Sequence, residues 1–287
     1  MKFQDIKTVC VIGGGKMGRQ IALNNAKYGY VSYLTDCNAD VCKQAAAWAE
    51  EYLAGRLAKG RMTQEEVDGI KSRWHVVTDL AEAVKDADLV IEAIYEDENA
   101  KHEIFRQVNA LGKKEAIVAT NSSSMVSSMF AGDIDDPSRL ANLHYFNPAL
   151  VMEFVEVVKG DHTSEETAQA LMDFATATGK KPALMRKEIE RFIANRIIKA
   201  IYDEAYWLVE NGYCSFEAVD LACEKGLGHK MGPYRTKDLT GIDLTYRMMT
   251  TTYEATGEKP VGYDLIKNLY DQGRLGKAVG HGFYDYE

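Results

Sequence analysis

Gly13-x-Gly15-x-x-Gly18 follows directly on the apolar run Val9-Cys10-Val11-Ile12, and this junction constrains the chain more than any other stretch. A short run of consecutive apolar residues suits a strand buried on both faces. Gly13 permits a tight turn, Gly15 lets the backbone approach a pyrophosphate, and Gly18 lets the next helix lie close to the sheet. That helix, expected from about Met17 to Tyr28, points its amide end at phosphate groups. A second apolar strand, Tyr30 to Leu34, leads to Asp36, placed to accept hydrogen bonds from a ribose 2′-hydroxyl. The same carboxylate repels a 2′-phosphate, which favours NAD over NADP. Gly13, Gly15, Met17, Gly18 and Asp36 are therefore the candidate contacts to a dinucleotide. The bland alternative is a strand-to-helix turn that binds nothing.

The 287 residues are 46% hydrophobic and 27% charged, a globular composition long enough for two domains. A net charge of −9 without a basic block argues against a nucleic-acid partner. No apolar run is long enough to span a membrane, and no apolar segment of a signal peptide follows Met1 to Gln4. The five cysteines (Cys10, Cys37, Cys42, Cys214, Cys223) are odd in number and lack a C-x-x-C spacing. They read as reduced thiols of a cytoplasmic protein, with neither a disulfide framework nor a metal site.

Beyond Asp36 a helical pattern runs from about Ala39 to Ala58 and ends in the cationic stretch Gly55-Arg-Leu-Ala-Lys-Gly-Arg61. Cations suit a helix C-terminus; they equally suit a clamp for an anionic ligand tail, with Lys59 at its centre. Thr63-x-x-Glu66 is a capping box. Strands are expected at Trp74–Val77, Ala87–Ile94 and Ala116–Thr120, with a short helix at Leu80–Lys85 and a longer one over 97–110. The strand DLVIEAIYED ends in Glu92 and Glu96. Asn121-Ser-Ser-Ser124 sits at a carboxyl strand end, where α/β sheets place ligands and where hydroxyls also cap helices. Leu140–His144 and Met152–Val158 follow as strands. Alternation puts Glu156 on one face with Met152, Phe154 and Val158, so its carboxylate needs a partner. His144 is the nearest strand-end candidate, although a backbone amide would also satisfy it. A helix over 164–178 and an edge segment Pro182–Arg186 end the α/β pattern.

From about Glu188 the chain reads as helical: Arg191–Asn211, Ser215–Lys225, a turn at Lys230-Met-Gly-Pro233, Leu244–Ala255 and Val261–Gln272. The fold class is thus a mostly parallel, doubly wound, Rossmann-like α/β domain over 1–187 and an all-α domain over 188–287. Ile193, Ile197, Ile198, Ile201, Tyr202, Ala205 and Leu208 form an apolar stripe wide enough for a homodimer or a dimer-based oligomer.

VIGGGKMG, VIEAIYE, TNSSSM, LHYFNPALVMEFVEVVKG, FIANRI, KMGP and GHGFYDY together resemble the L-3-hydroxyacyl-CoA dehydrogenase family, across essentially the whole chain. Short bacterial members of that family act as 3-hydroxybutyryl-CoA dehydrogenases. The resemblance implies NAD-dependent interconversion of an (S)-3-hydroxyacyl-CoA and a 3-oxoacyl-CoA. It makes His144 the acid–base histidine and Glu156 the carboxylate that orients it. Ser123 becomes the hydroxyl touching the substrate oxygen, and Asn195 the substrate amide. Glu96, Lys101 and Asn147 fall on the cofactor side, and Lys59 on the CoA tail.

The chain departs from that pattern where the family has Pro-Gly-Phe before its Asn-bearing helix. Here Glu190-Arg191-Phe192 stands instead, and the spacing from Glu156 to Asn195 is one residue longer than usual. Arg191 puts a cation beside a positive helix end, which suggests a contact with an anionic group of the ligand. Lys277 is followed by Ala278 where a second Lys is common, and Ser122 stands where Thr is common. A gulonate-type sugar-acid 3-dehydrogenase shares the His, Glu and Asn and is the second enzyme reading. A non-catalytic NAD-binding relative would be expected to lose His144 or Glu156 first, and both are present.

Overall fold

The computed structural model describes residues 1–287. Eight strands form one sheet: β1 (Thr8–Ile12), β2 (Val31–Thr35), β3 (Trp74–Val77), β4 (Leu89–Glu92), β5 (Ile117–Thr120), β6 (Leu140–Tyr145), β7 (Phe154–Val158) and β8 (Lys181–Met185). The helices are α1 (Lys16–Lys27), α2 (Ala39–Ala58), α3 (Gln64–Arg73), α4 (Leu80–Val84), α5 (Glu98–Leu111), α6 (Glu165–Ala177), α7 (Phe192–Glu210), α8 (Phe216–Leu221), α9 (Pro233–Thr240), α10 (Ile242–Thr256) and α11 (Tyr263–Asp271). None is long and apolar enough to cross a membrane.

The chain divides into two compact units, Met1–Ile193 and Ala194–Glu287. Sequence places the division near Lys187; in the structure residues 188–193 stay with the first unit. Phe192 is fully buried there, and Ile193 N–H donates to Glu156 at 2.9 Å.

In the first unit the strand order is β3-β2-β1-β4-β5-β6-β7-β8. All pairings are parallel except β6 with β7. A short connection between neighbouring strands makes an antiparallel pair, whereas each parallel step needs a longer crossover. Apolar residues fill both faces of the sheet. Val9, Val11, Leu89 and Ile91 join one core cluster, while Cys10, Val90 and Val118 join the other. This is why β1, β4 and β5 read as unbroken apolar runs. The order reverses about β1, which opens a crevice at the carboxyl ends of β1 and β4.

The second unit is helical around Tyr206, Tyr234, Ile242, Ile266 and Phe283. The turn expected over Lys230–Pro233 is present as bends at Lys230 and Met231, and its last residue opens a helix not expected from sequence, α9, because proline is well placed in a first helical turn. The expected helix over 215–225 narrows to α8 and then widens into a π turn, Ala222–Gly226. Lys237 on α9 places its ammonium 3.8 Å from the centroid of the Tyr202 ring. Burial pushes its pKa down to about 8, with Asp203 pulling weakly the other way. The folded value lies below the ordinary one, so the unfolded chain binds the proton more tightly. Lys237 therefore costs stability below about pH 8, and that cost fades as pH climbs towards the ordinary ammonium range. Lys237→Met is expected to melt at a higher temperature than the parent at pH 7, with the difference shrinking at pH 10. A difference that does not change with pH would reject the assignment.

Candidate active site

The glycine turn is built as its residue types require. Gly13 has φ +111°, and a Cβ there would lie 2.5 Å from Ala93 O. A Cβ on Gly18 would lie 1.8 Å from Gly13 O, so α1 crosses the turn as closely as a helix can. Gly15, the N-cap of α1, is exposed and a Cβ there would meet nothing within 4 Å. The free amides of the first helical turn thus face open space, the setting that holds a phosphate. Met17 is half-buried and packs against the sheet core. Asp36 accepts Gly14 N–H through Oδ2 at 2.8 Å and Asn38 N–H through Oδ1 at 2.9 Å. A carboxylate has lone pairs beyond these two, so ribose hydroxyls can still be accepted. The turn and the acid fit a dinucleotide.

Around the ends of β4 and β5 the polar groups form one network. Glu92 is fully buried and accepts from Lys101 Nζ at 2.6 Å, Thr120 Oγ1 at 2.6 Å and Ile94 N–H at 2.7 Å. Lys101, on α5, is 1% exposed and also lies 3.4 Å from Glu96. Glu96 accepts from Ser122 Oγ at 2.8 Å and from Ser123 N–H at 3.1 Å. Lys101 and Glu96, both expected on the cofactor side, are therefore coupled, with Lys101 underneath and Glu96 reaching the surface. Sequence names Glu92 only as a strand-end acid; nothing local announces its buried pairing with a lysine on the following helix.

The serine segment is tied to β6 at two points. Asn121 Oδ1 accepts Tyr145 N–H at 2.9 Å. Asn142 accepts Ser127 N–H at 2.8 Å and donates to Met125 O at 2.9 Å. Ser123 is half-buried within this braced loop. Asn147, just past the end of β6, is exposed.

His144 and Glu156 sit directly opposite each other in the antiparallel register of β6 and β7. His144 Nδ1 and Glu156 Oε2 are 2.8 Å apart. The His144 side chain is 7% exposed, and that of Glu156 is fully buried. Phe146 and Phe192 flank the ring at centroid distances of 4.6 and 5.6 Å. Both the histidine and the backbone amide of Ile193 bond Glu156, so the two partners weighed for this carboxylate are present together. An ionised carboxylate can only accept, so it fixes the proton on Nδ1 and leaves Nε2 as the basic nitrogen.

The remaining expected residues are Lys59, Arg191 and Asn195. Lys59 is the exposed C-cap of α2, at an open groove lined also by Trp48, Tyr52, Gly55, Arg56 and Arg61, with Glu51 as its one carboxylate. Trp48 and Tyr52 stack there at 5.6 Å. Arg191 is exposed with φ +67°, and Phe192 follows at φ +50°. Asn195 lies in the first turn of α7, in the second unit.

Two family models together match almost the whole chain. The NAD binding domain of 3-hydroxyacyl-CoA dehydrogenase matches residues 8–189, and the C-terminal domain of 3-hydroxyacyl-CoA dehydrogenase matches residues 192–286. The chain is 36% identical to the mitochondrial hydroxyacyl-coenzyme A dehydrogenase of Rattus norvegicus, over 98% of this chain and 92% of that protein. It is 34% identical to a probable 3-hydroxybutyryl-CoA dehydrogenase of Bacillus subtilis, over 99% and 98% respectively. Among solved structures, the (S)-3-hydroxybutyryl-CoA dehydrogenase of Ralstonia eutropha superposes with a TM-score of 0.86 at 26% identity, covering 99% of this chain and 100% of that one.

Proposed function

Because the chain belongs to the 3-hydroxyacyl-CoA dehydrogenase family, we propose that it interconverts a short (S)-3-hydroxyacyl-CoA and its 3-oxoacyl-CoA, with 3-hydroxybutyryl-CoA and acetoacetyl-CoA as the pair. The observation that carries the acid–base assignment is the contact of His144 Nδ1 with the buried Glu156 carboxylate. NAD, when bound, supplies the two-electron acceptor for the hydrogen on C3. The Gly13–Gly18 turn and Asp36 would hold its pyrophosphate and ribose, with Met17, Asn147 and the linked Glu96 and Lys101 as the further cofactor-side residues. Nε2 of His144 takes the 3-hydroxyl proton as C3 is oxidised and returns it in the reductive direction. Glu156 stabilises the imidazolium and keeps the ring in place. Ser123 binds the same oxygen, and Asn195 binds the acyl group near the thioester.

The groove beside Lys59 favours a CoA tail over a small sugar acid, since it joins cations to a stacked aromatic pair. Loss of one exposed ion pair, roughly 1 kcal/mol, raises a dissociation constant about fivefold. Lys59→Ala is expected to raise KM for acetoacetyl-CoA by about that factor. KM for the acetoacetyl thioester of N-acetylcysteamine, which lacks the nucleotide, should stay unchanged. Equal shifts for both substrates would move the tail elsewhere. Arg191 is assigned to an anionic group on the substrate; unchanged KM and kcat in Arg191→Ala would reject that contact.

The function as a whole is tested by following NADH absorbance with purified protein and acetoacetyl-CoA. NADH consumption supports the reading. Oxidation of L-gulonate with NAD, without turnover of acetoacetyl-CoA, would replace it with the sugar-acid reaction. The protein is further read as cytoplasmic, with all five cysteines free. It is read as a homodimer or dimer-based oligomer, since α7 leaves Ile197 57% and Trp207 43% exposed.

A further inference from the structure

The segment 188–193 carries no expected catalytic group, only Arg191 as an expected ligand contact, yet it is anchored at both ends to the site. At its start, Glu188 Oε1 accepts Ser127 Oγ at 2.8 Å and Ser128 N–H at 2.9 Å. Ser127 is fully buried and closes the braced serine segment. At its end, Ile193 N–H donates to Glu156 Oε1 at 2.9 Å, on the carboxylate whose other oxygen meets His144. Between these anchors Arg191 and Phe192 both have left-handed backbones, at φ +67° and +50°. Each is a conformation that a residue with a side chain adopts at a cost of about 1–2 kcal/mol. Such a turn persists only where its surroundings over-determine it. Here the surroundings are the Glu188 anchor, the Glu156 bond and burial of the Phe192 ring beside His144.

We infer that Glu188 is a positioning residue for the reaction. It pins the strained turn to the serine segment, so that Ile193 N–H fixes Glu156 in the rotamer that aligns His144. The Glu188 carboxylate joins two parts of the site that the chain separates widely: the loop bearing Ser123 and the backbone that holds Glu156. Its seat is shaped for it. His162 Nε2 lies 3.4 Å from Ser127 Oγ. A Cβ on Gly160 would fall 2.4 Å from His162 Cε1 and 2.9 Å from Glu188 Oε1, so only glycine leaves room for this arrangement. Without the anchor, relaxation of the left-handed pair withdraws the Ile193 amide. Glu156 then gains a second rotamer, in which His144 is misaligned.

This inference rests on the reading of His144 and Glu156 as the acid–base pair, and the experiment separates the two. Glu188→Ala, Glu188→Gln, Ser127→Ala and His144→Ala are compared with the parent for kcat, for KM of NADH and acetoacetyl-CoA, and for the pH dependence of kcat. Taking the low end of the roughly 10- to 100-fold loss seen when outer partners of metal ligands are removed, Glu188→Ala is expected to lose about tenfold in kcat with KM for NADH unchanged. Its pH profile should be displaced from the parent's, which a merely structural loss would not produce. Glu188→Gln keeps an oxygen that accepts both hydrogen bonds and is expected to restore kcat to within about twofold. Ser127→Ala removes one of the two bonds to Glu188 and should fall between, which keeps the test open if Glu188→Ala does not fold. Parental kcat and pH profile in Glu188→Ala and Ser127→Ala, with His144→Ala inactive, would overturn the positioning role alone. Full activity in His144→Ala would remove the acid–base reading and this inference with it.

Discussion

His144→Ala is expected to lower kcat for NADH-dependent reduction of acetoacetyl-CoA by about 10²- to 10⁴-fold, the usual contribution of a positioned acid–base group. NADH affinity, read by quenching or by fluorescence of the bound cofactor, should stay within about twofold, since the dinucleotide turn lies on other strands. His144 is nearly buried, and its removal takes away the ring contacts and the bond to Glu156, which keeps the Ile193 N–H; Phe146 and Phe192 remain to line the space. His144→Gln is the sharper variant, because it can keep a bond to Glu156 while offering no basic nitrogen. Both variants should be equally slow. Glu156→Gln is expected to be slow as well, since an amide no longer enforces the tautomer or stabilises the imidazolium. A His144→Ala protein that retains more than about a tenth of parental kcat would place the proton transfer elsewhere.

The largest expected effect on stability belongs to Lys101→Met. This change leaves the Glu92 carboxylate buried with only Thr120 Oγ1 and Ile94 N–H as partners. Removing one member of a buried ion pair typically costs about 3–5 kcal/mol, much of it from the charge left behind. Glu92→Gln combined with Lys101→Met removes both charges and should recover a large part of that loss. Urea midpoints for the two single variants and the double variant give the coupling directly. Additive losses would mean that the two residues stabilise the fold separately, against the 2.6 Å contact between them. Glu96 also borders Lys101, so a weaker hold on NADH is expected in the single variant if enough of it folds.

What sequence made legible follows the range of the interactions involved. The glycine turn was readable because its demands are local: a positive φ at Gly13 and no room for a Cβ on Gly18. The alternation of β7 correctly put Glu156 where a charge needs a partner. It offered His144 only as the nearest strand-end candidate beside a backbone amide, because strand register is set by pairing across the sheet; family resemblance supplied its role. The helix that starts at Pro233 was missed, although the turn before it was read, because proline both ends and begins helices, and only tertiary packing decides which. The left-handed pair Arg191–Phe192 left no trace in sequence, since neither residue favours that conformation. The role of Glu188 was equally hidden, because its partners lie some sixty positions earlier in the chain.

The single antiparallel pairing in the sheet has a consequence for how this protein should fail on heating. His144 and Glu156 face each other across adjacent strands deep in the first unit, each held by ladder bonds and flanked by further strands. Their backbone spacing is therefore set by folding, before any substrate arrives. A dyad carried on loops would drift apart in the early stages of warming and silence the enzyme well below its melting point. Here the two strands cannot part until the sheet itself opens, so the backbone spacing of His144 and Glu156 is expected to survive up to the melting transition, and only the side-chain alignment can be lost before it.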